Sequence, residues 1–235
     1  MPRQPTTAGT CGLCGQTFSK TGVARHLPKC RADHAHAKGK KLHPTFLVMV
    51  EGRYLPDYWL VGEISAAETL DTLDAFLRDI WLECCGHMSA FTIGDTQYMM
   101  DTGGIDGMWL DLFGSSHPTK SMSKVRLDEV LKPGLKFYHE YDFGTTTELT
   151  LKVLAEQEGA TPKRALDILS RNHPPPIKCD KCAELAVEVC VECIYDGKGW
   201  LCAKHAKQHK HDDMFLPVVN SPRVGQCGYT GPLKD

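Results

Sequence analysis

Six of the eleven cysteines stand in pairs separated by two residues: Cys11 and Cys14, Cys179 and Cys182, Cys190 and Cys193. Each pair is followed by further Cys or His at finger-like distances. The N-terminal set reads C-x2-C-x11-H-x3-C and comprises Cys11, Cys14, His26 and Cys30. The C-terminal set comprises Cys179, Cys182, Cys190, Cys193, Cys202, His205, His209 and His211. A two-residue gap lets one turn aim two thiolates at one tetrahedral ion, and a second pair from elsewhere completes the shell. Four ligands at one end and eight at the other predict three zinc ions, all structural, because four protein ligands leave no open position for catalysis. Cys227 is an alternative ligand in the C-terminal set, since the closing His-x-His spacing is unusual.

Other reactive residue types are fewer. Cys84-Cys85-Gly86-His87 sets a nucleophile beside a possible base, and a thiol needs such a neighbour to become thiolate. Cys84 also continues the apolar face of a predicted helix, so packing is the competing role. Asp101, Asp106 and Asp111 lie in a Gly-rich stretch and could meet a hard cation, although their spacing matches no calcium loop. Neither a phosphate-cradling G-x-x-x-x-G-K-[ST] nor a G-x-S-x-G nucleophile turn occurs. An enzyme with its site around Cys84, Cys85 and His87 is therefore the alternative to a non-catalytic binding protein.

The formal charge of −2 conceals an asymmetry. Residues 1–43 carry eight Lys or Arg against one acidic residue, residues 44–176 carry eleven against twenty, and the remainder is balanced. A basic N-terminal patch attracts phosphate or another acidic surface, and the chain's own acidic middle is one such surface. Lys20, Arg25, Lys29 and Arg31 are the candidate nucleic-acid contacts. No run of about 18 apolar residues occurs and residues 1–10 lack an apolar signal core, so neither a membrane span nor export is expected. Thiols committed to zinc point to a reducing, cytoplasmic setting.

The elements that must position these groups follow from periodicity. Residues 45–50 and 58–64 read as strands, as do 89–93, 96–100, 137–141 and 148–154. Ser65 and Glu68 have the spacing of a capping box, after which Leu70, Leu73, Phe76, Leu77, Ile80, Trp81 and Cys84 describe an amphipathic helix ending near Gly86. A short helix is expected at 127–131, and Thr161-Pro162 predicts a last helix through Leu169. The fold class is α+β: a central mixed sheet with one long helix, flanked by two small zinc-stabilised modules. The expected organisation is a finger at 1–30, a basic linker at 31–43, an α+β domain at 44–171, a Pro-rich spacer at 172–177, and a double-zinc module with tail at 178–235. The apolar, Gly-punctuated tail around Asn220–Arg223 is expected to dock on a neighbouring domain.

Three stretches carry resemblances. Residues 73–81, His87-Met88-Ser89-Ala90-Phe91 and Tyr138-His139-Glu140-Tyr141-Asp142-Phe143-Gly144 make residues 44–157 resemble the plasmid pRiA4b ORF-3-like family, which implies a compact prokaryotic α+β domain, often in mobile-element settings, without a defined activity. The N-terminal set, with Phe18 and Val23 as core residues, resembles the classical DNA-binding finger with its last histidine replaced by cysteine and the central spacing one residue short. That resemblance would face Ser19, Gly22 and Arg25 to the major groove, and only Arg25 has the donor fork to read guanine. The C-terminal set resembles a B-box cross-brace, which implies one ion on Cys179, Cys182, Cys202 and His205 and another on Cys190, Cys193, His209 and His211. The expected function is therefore non-catalytic: DNA or RNA at the finger and a protein partner at the C-terminal module, or a protein adaptor without nucleic acid.

Overall fold

The structure is a computed structural model describing residues 7–34, 42–101, 118–160, 165–211 and 213–232. Asp106 and Asp111 lie outside the described residues. Among the described residues, thirteen strands form two sheets of very unequal size, accompanied by a few helices.

The large sheet has ten strands. In chain order these are β1 (Ala8–Cys11), β2 (Thr17–Ser19), β3 (Leu42–Gly52), β4 (Trp59–Ser65), β5 (Ser89–Ile93), β6 (Thr96–Met99), β7 (Thr119–Ser121), β8 (Lys136–Tyr141), β9 (Thr147–Ala160) and β10 (Leu166–Asn172). Their spatial order is β2-β1-β10-β4-β3-β9-β8-β5-β6-β7. Every pairing is antiparallel except β6 with β7, so the sheet is mixed by one strand. The helices are α1 (Lys20–Asp33), α2 (Leu70–Leu77), continued by a π-turn at Arg78–Leu82, and the single-turn α3 (Leu127–Val130).

Both faces of the central strands are covered, which explains their near-continuous apolar runs. Phe46, Val48 and Val50 of β3 join Leu60 and Ile64 of β4, α2 residues Leu70, Leu73 and Leu77, and Trp81, Phe91, Phe137 and Leu151 in the main core. The intervening Leu47 and Met49, with Trp59 and Val61, face the other way. There they meet Val23, Leu27 and Cys30 of α1. Alternate side chains of a strand point to opposite faces, so one apolar run supplies both cores.

This second core corrects the expectation of a free-standing finger. The β1–β2 hairpin extends the main sheet by pairing with β10, and α1 roofs the reverse face. Burying Val23 and Leu27 fully against that face is favourable by about 1.5–3 kcal/mol each. An isolated finger of this size has no such area to bury. The basic linker is also shorter than expected, since α1 runs to Asp33 and β3 begins at Leu42.

Two further expectations fail locally. Residues 161–164 of the expected last helix lie outside the described residues, and its end, Leu166 to Leu169, is instead part of β10, a strand between β1 and β4. A bulge between Ile168 and Ser170 breaks its alternation and leaves Leu166 and Leu169 buried three apart, which imitates a helical period. The cap of α2 is Thr69, whose hydroxyl accepts from the Thr72 N–H at 3.2 Å, while Ser65 closes β4 and accepts from Ala67 N–H. The helix ends at Leu82, so Cys84 lies in the following turn rather than on a helical face.

The small sheet comprises β11 (Glu188–Cys190), β12 (Trp200–Leu201) and β13 (Phe215–Pro217) in the order β12-β11-β13, with a single-turn helix α4 at Ala203–Ala206. The chain then returns to the large sheet. Asn220 O accepts from Trp81 Nε1 at 3.1 Å, Ser221 Oγ donates to Trp81 O at 2.7 Å, and the fully buried Arg223 reaches Asp142 at 2.7 Å. The tail thus docks on the α+β domain, as its apolar, Gly-punctuated composition suggests.

Candidate metal centres

Among the described residues, four groups of Cys and His bring their ligand atoms within 4.8 Å of one another. Three are the sets expected from spacing: Cys11, Cys14, His26 and Cys30; Cys179, Cys182, Cys202 and His205; Cys190, Cys193, His209 and His211. The division of the C-terminal ligands is the cross-braced one. The fourth group, Cys84, Cys85, His87 and Cys227, was not expected as a metal site. Cys227 therefore replaces no histidine in the C-terminal module.

The separations match a shared tetrahedral ion. With Zn–S near 2.3 Å and Zn–N near 2.0–2.1 Å, two sulfurs on one ion lie about 3.8 Å apart and a sulfur and nitrogen about 3.5 Å apart. The observed pairs are 4.0 Å for Cys11 and Cys30 and 3.8 Å for Cys182 and Cys202. Sulfur to nitrogen distances are 3.3 Å for Cys14 and His26, 3.4 Å for Cys179 and His205, and 3.4 Å both for Cys190 with His211 and for Cys193 with His209. A disulfide would bring two sulfurs to about 2.05 Å. All eleven thiols are free.

Local structure explains each set. In the first, Cys11 and Cys14 flank the turn leaving β1, closed by Gly15 N–H on Cys11 O, and Gly15 has φ 72°. His26 and Cys30 lie one turn apart on α1, and Phe18 stacks on the His26 ring at 4.1 Å. Burial pushes the Cys30 thiol up to about 12, with the neighbouring Cys11 and Cys14 adding to it. Three crowded sulfurs gain from a cation that relieves this repulsion. In the second set burial alone would raise Cys179, but backbone N–H donors at Cys202 and Lys181 and the His205 ring bring it down to about 6, toward the thiolate a metal requires. In the third, burial and the adjacent His211 hold His209 below the usual histidine range, in the neutral form a ligand needs.

The candidate nucleic-acid residues divide. Lys20 Nζ donates to Glu51 at 2.5 Å and to Pro56 O at 3.0 Å. Arg31 is buried, its Nε donating to Glu63 Oε2 at 2.8 Å, and Glu63 also accepts from Thr45 Oγ1 at 2.8 Å. Arg25 and Lys29 are exposed on α1. Ser19, one of the groove-facing positions in the finger resemblance, is the N-cap of α1 and accepts from Gly22 N–H at 3.2 Å. Half of the basic set is thus turned onto the chain's own acidic strands.

The Cys84 segment has a different setting from that of a helix-end nucleophile. Cys85 Sγ lies 3.3 Å from Cys84 Sγ, 3.2 Å from His87 Nε2 and 3.7 Å from Cys227 Sγ. Beneath it, Arg223 Nη2 donates to Cys84 Sγ at 3.4 Å. The Tyr138–Gly144 stretch lies on β8 and the turn after it, with His139 Nε2 at 2.7 Å from Asp74 Oδ1 inside the core.

No protein-family model matches the chain, and no curated protein matches it. Among solved structures, a protein of unknown function from Methanosarcina mazei Go1 is similar over 52% of this chain and 65% of that one, at 11% identity and a TM-score of 0.41. The chain thus spans under two thirds of that protein's length. No helix among the described residues is long and apolar enough to cross a membrane.

Proposed function

We propose that this protein is a non-catalytic adaptor whose Cys and His sets hold zinc as structural ions and whose partner is a protein. The observation that carries the reading is the orientation of the basic residues: Lys20 and Arg31 are paired with Glu51 and Glu63 of the same chain. Among the described residues of this region, a nucleic-acid contact is left with Arg25 and Lys29, while Arg3, Lys38, Lys40 and Lys41 lie outside the described residues. Two phosphate contacts give weak affinity with a shallow salt slope of about −1.8, roughly a tenfold loss between 50 and 200 mM salt. Zinc follows from the donors, since tetrahedral sulfur and imidazole sets select it over hard cations. Each set supplies four protein ligands, so none offers the open position that catalytic zinc keeps.

The C-terminal module supplies apolar contact residues. Leu185, Val187 and Tyr195 are 55%, 48% and 72% exposed in a module with few other large apolar groups at its surface. Aromatic and aliphatic side chains of this kind anchor protein interfaces. The plasmid-family and mobile-element reading of the middle domain remains a proposal resting on residues 44–157 alone.

The test is retention of the full-length, zinc-loaded protein on immobilised DNA and RNA at about 50 mM salt, where phosphate contacts are strongest. The adaptor reading expects little retention and no change on Arg25→Glu with Lys29→Glu. Firm retention abolished by those two substitutions would establish the nucleic-acid reading in its place.

A further inference from the structure

The geometry points to a fourth metal ion, held by Cys84, Cys85, His87 and Cys227, that latches the C-terminal tail onto the α+β domain. Three ligands come from one four-residue turn after α2, and the fourth comes from 140 positions away. The separations are those of one small coordination shell. His87 Nε2 lies 3.2 Å from both Cys85 Sγ and Cys227 Sγ, and Cys85 Sγ lies 3.7 Å from Cys227 Sγ. These, with 3.3 Å between Cys84 Sγ and Cys85 Sγ, fall within about 0.5 Å of the tetrahedral edges of about 3.5 Å and 3.8 Å expected for nitrogen–sulfur and sulfur–sulfur pairs on zinc.

The surroundings fit a charged thiolate site. Three thiolates and a divalent ion carry one net negative charge, and Arg223 Nη2 donates to Cys84 Sγ at 3.4 Å while its guanidinium is shared with the Asp142 carboxylate. Arg223 is itself oriented by Asp142 Oδ2 at 2.7 Å, Thr147 Oγ1 at 3.0 Å and Thr145 O at 3.1 Å. Outer contacts of this kind fix the ligands of a metal and tune its affinity. The backbone reaches the site under strain. Cys227 has φ 44°, in the left-handed region that a side chain other than glycine or asparagine seldom adopts, and it is followed by Gly228 at φ 72°. An ion at Cys227 gives that conformation a reason.

The site differs from the other three in exposure. Each of the other sets contains at least one buried cysteine, whereas none of Cys84, Cys85 and Cys227 is buried. Its ion is the most accessible to chelators and competing metals, so the latch opens before the other sites are lost. The substrate of the site is a thiophilic divalent cation, zinc by its donor set.

Native mass spectrometry of the full chain loaded with zinc decides the matter. Four ions per chain are expected, three in Cys227→Ser, and four again in Cys227→His, which restores a ligand. Limited proteolysis is expected to cut the 220–232 tail at least tenfold faster in Cys227→Ser than in the parent. Should the variant fail to fold, thiol footprinting of the parent gives the answer: Cys84, Cys85 and Cys227 are expected to be protected from alkylation until a mild chelator is added. Three ions in the parent, unchanged in Cys227→Ser, or prompt alkylation of these cysteines while the other three sets stay protected, overturns the proposal. Both outcomes leave the adaptor reading intact, because that reading rests on the other three sets and on Lys20 and Arg31.

Discussion

Arg31→Ala separates an architectural α1 from a nucleic-acid-binding one. Glu63 is only 4% exposed on β4, and its two oxygens are met by Arg31 Nε and Thr45 Oγ1, each at 2.8 Å. Removing the guanidinium leaves a buried carboxylate with one hydroxyl donor, and breaking a buried pair from one side costs about 3–5 kcal/mol. With a urea dependence of about 3 kcal/mol per molar, the unfolding midpoint falls by about 1–1.7 M. Urea titration followed by tryptophan fluorescence is a suitable assay, because Trp59 lies in the core that α1 covers. Saturating zinc is kept in all samples so that metal loss does not enter. Arg31→Met with Glu63→Gln is expected to recover most of the loss, because neither charge is then stranded. A residue that only met phosphate would behave otherwise, since exposed positions shift stability by about 0.5 kcal/mol or less. A loss below about 1 kcal/mol accompanied by lost nucleic-acid retention would refute the reasoning.

Further outcomes follow from the same contacts. Leu27→Ala opens a cavity beneath α1 and is expected to cost about 2–5 kcal/mol by urea unfolding while all metal is retained, since Leu27 is fully buried and is not a ligand. Deleting residues 1–43 uncovers Leu47, Met49, Trp59 and Val61 and is expected to give aggregation by light scattering rather than a stable α+β domain. Cys11→Ser and Cys190→Ser are each expected to lose one ion by elemental analysis, from opposite ends of the chain. Burial would raise the Asp74 carboxyl, but the hydrogen bond and charge of His139, with Ser89 and Arg78, hold it below the usual range. Its stabilisation is therefore complete above about pH 4 and is lost as pH falls through the lower folded value. Asp74→Asn should reduce that part of the acid limb in pH-dependent unfolding, and an unaltered limb would assign the acid sensitivity elsewhere.

Local patterns made β3, β4, β5, β6, β8, the first half of β9 and α2 legible, because each places its apolar residues at a strand or helix period. The twelve spaced ligands were legible for a similar reason, since close ligand pairs lie within one turn. What escaped was long-range. The finger's hairpin pairs with β10 some 160 positions away, and nothing near Ala8 announces that edge. Phe18 and Val23 read equally well as the private core of a small finger. β10 was misread because its bulge hides the alternation and Thr161-Pro162 has the look of a helix start. The fourth Cys and His group did leave a trace: Cys84, Cys85 and Cys227 are the three cysteines left over by the spaced sets, and His87 stands beside two of them.

The central claim is that the metal sites are closed and architectural. Cobalt(II)-substituted protein tests it most directly, because ligand-field absorption reports coordination number and any exchangeable position. The account predicts four-coordinate, thiolate-rich spectra that added azide leaves unchanged at every metal loading, and protein that hydrolyses no added ester or amide. A saturable spectral shift on azide addition would reveal an open coordination position and contradict it.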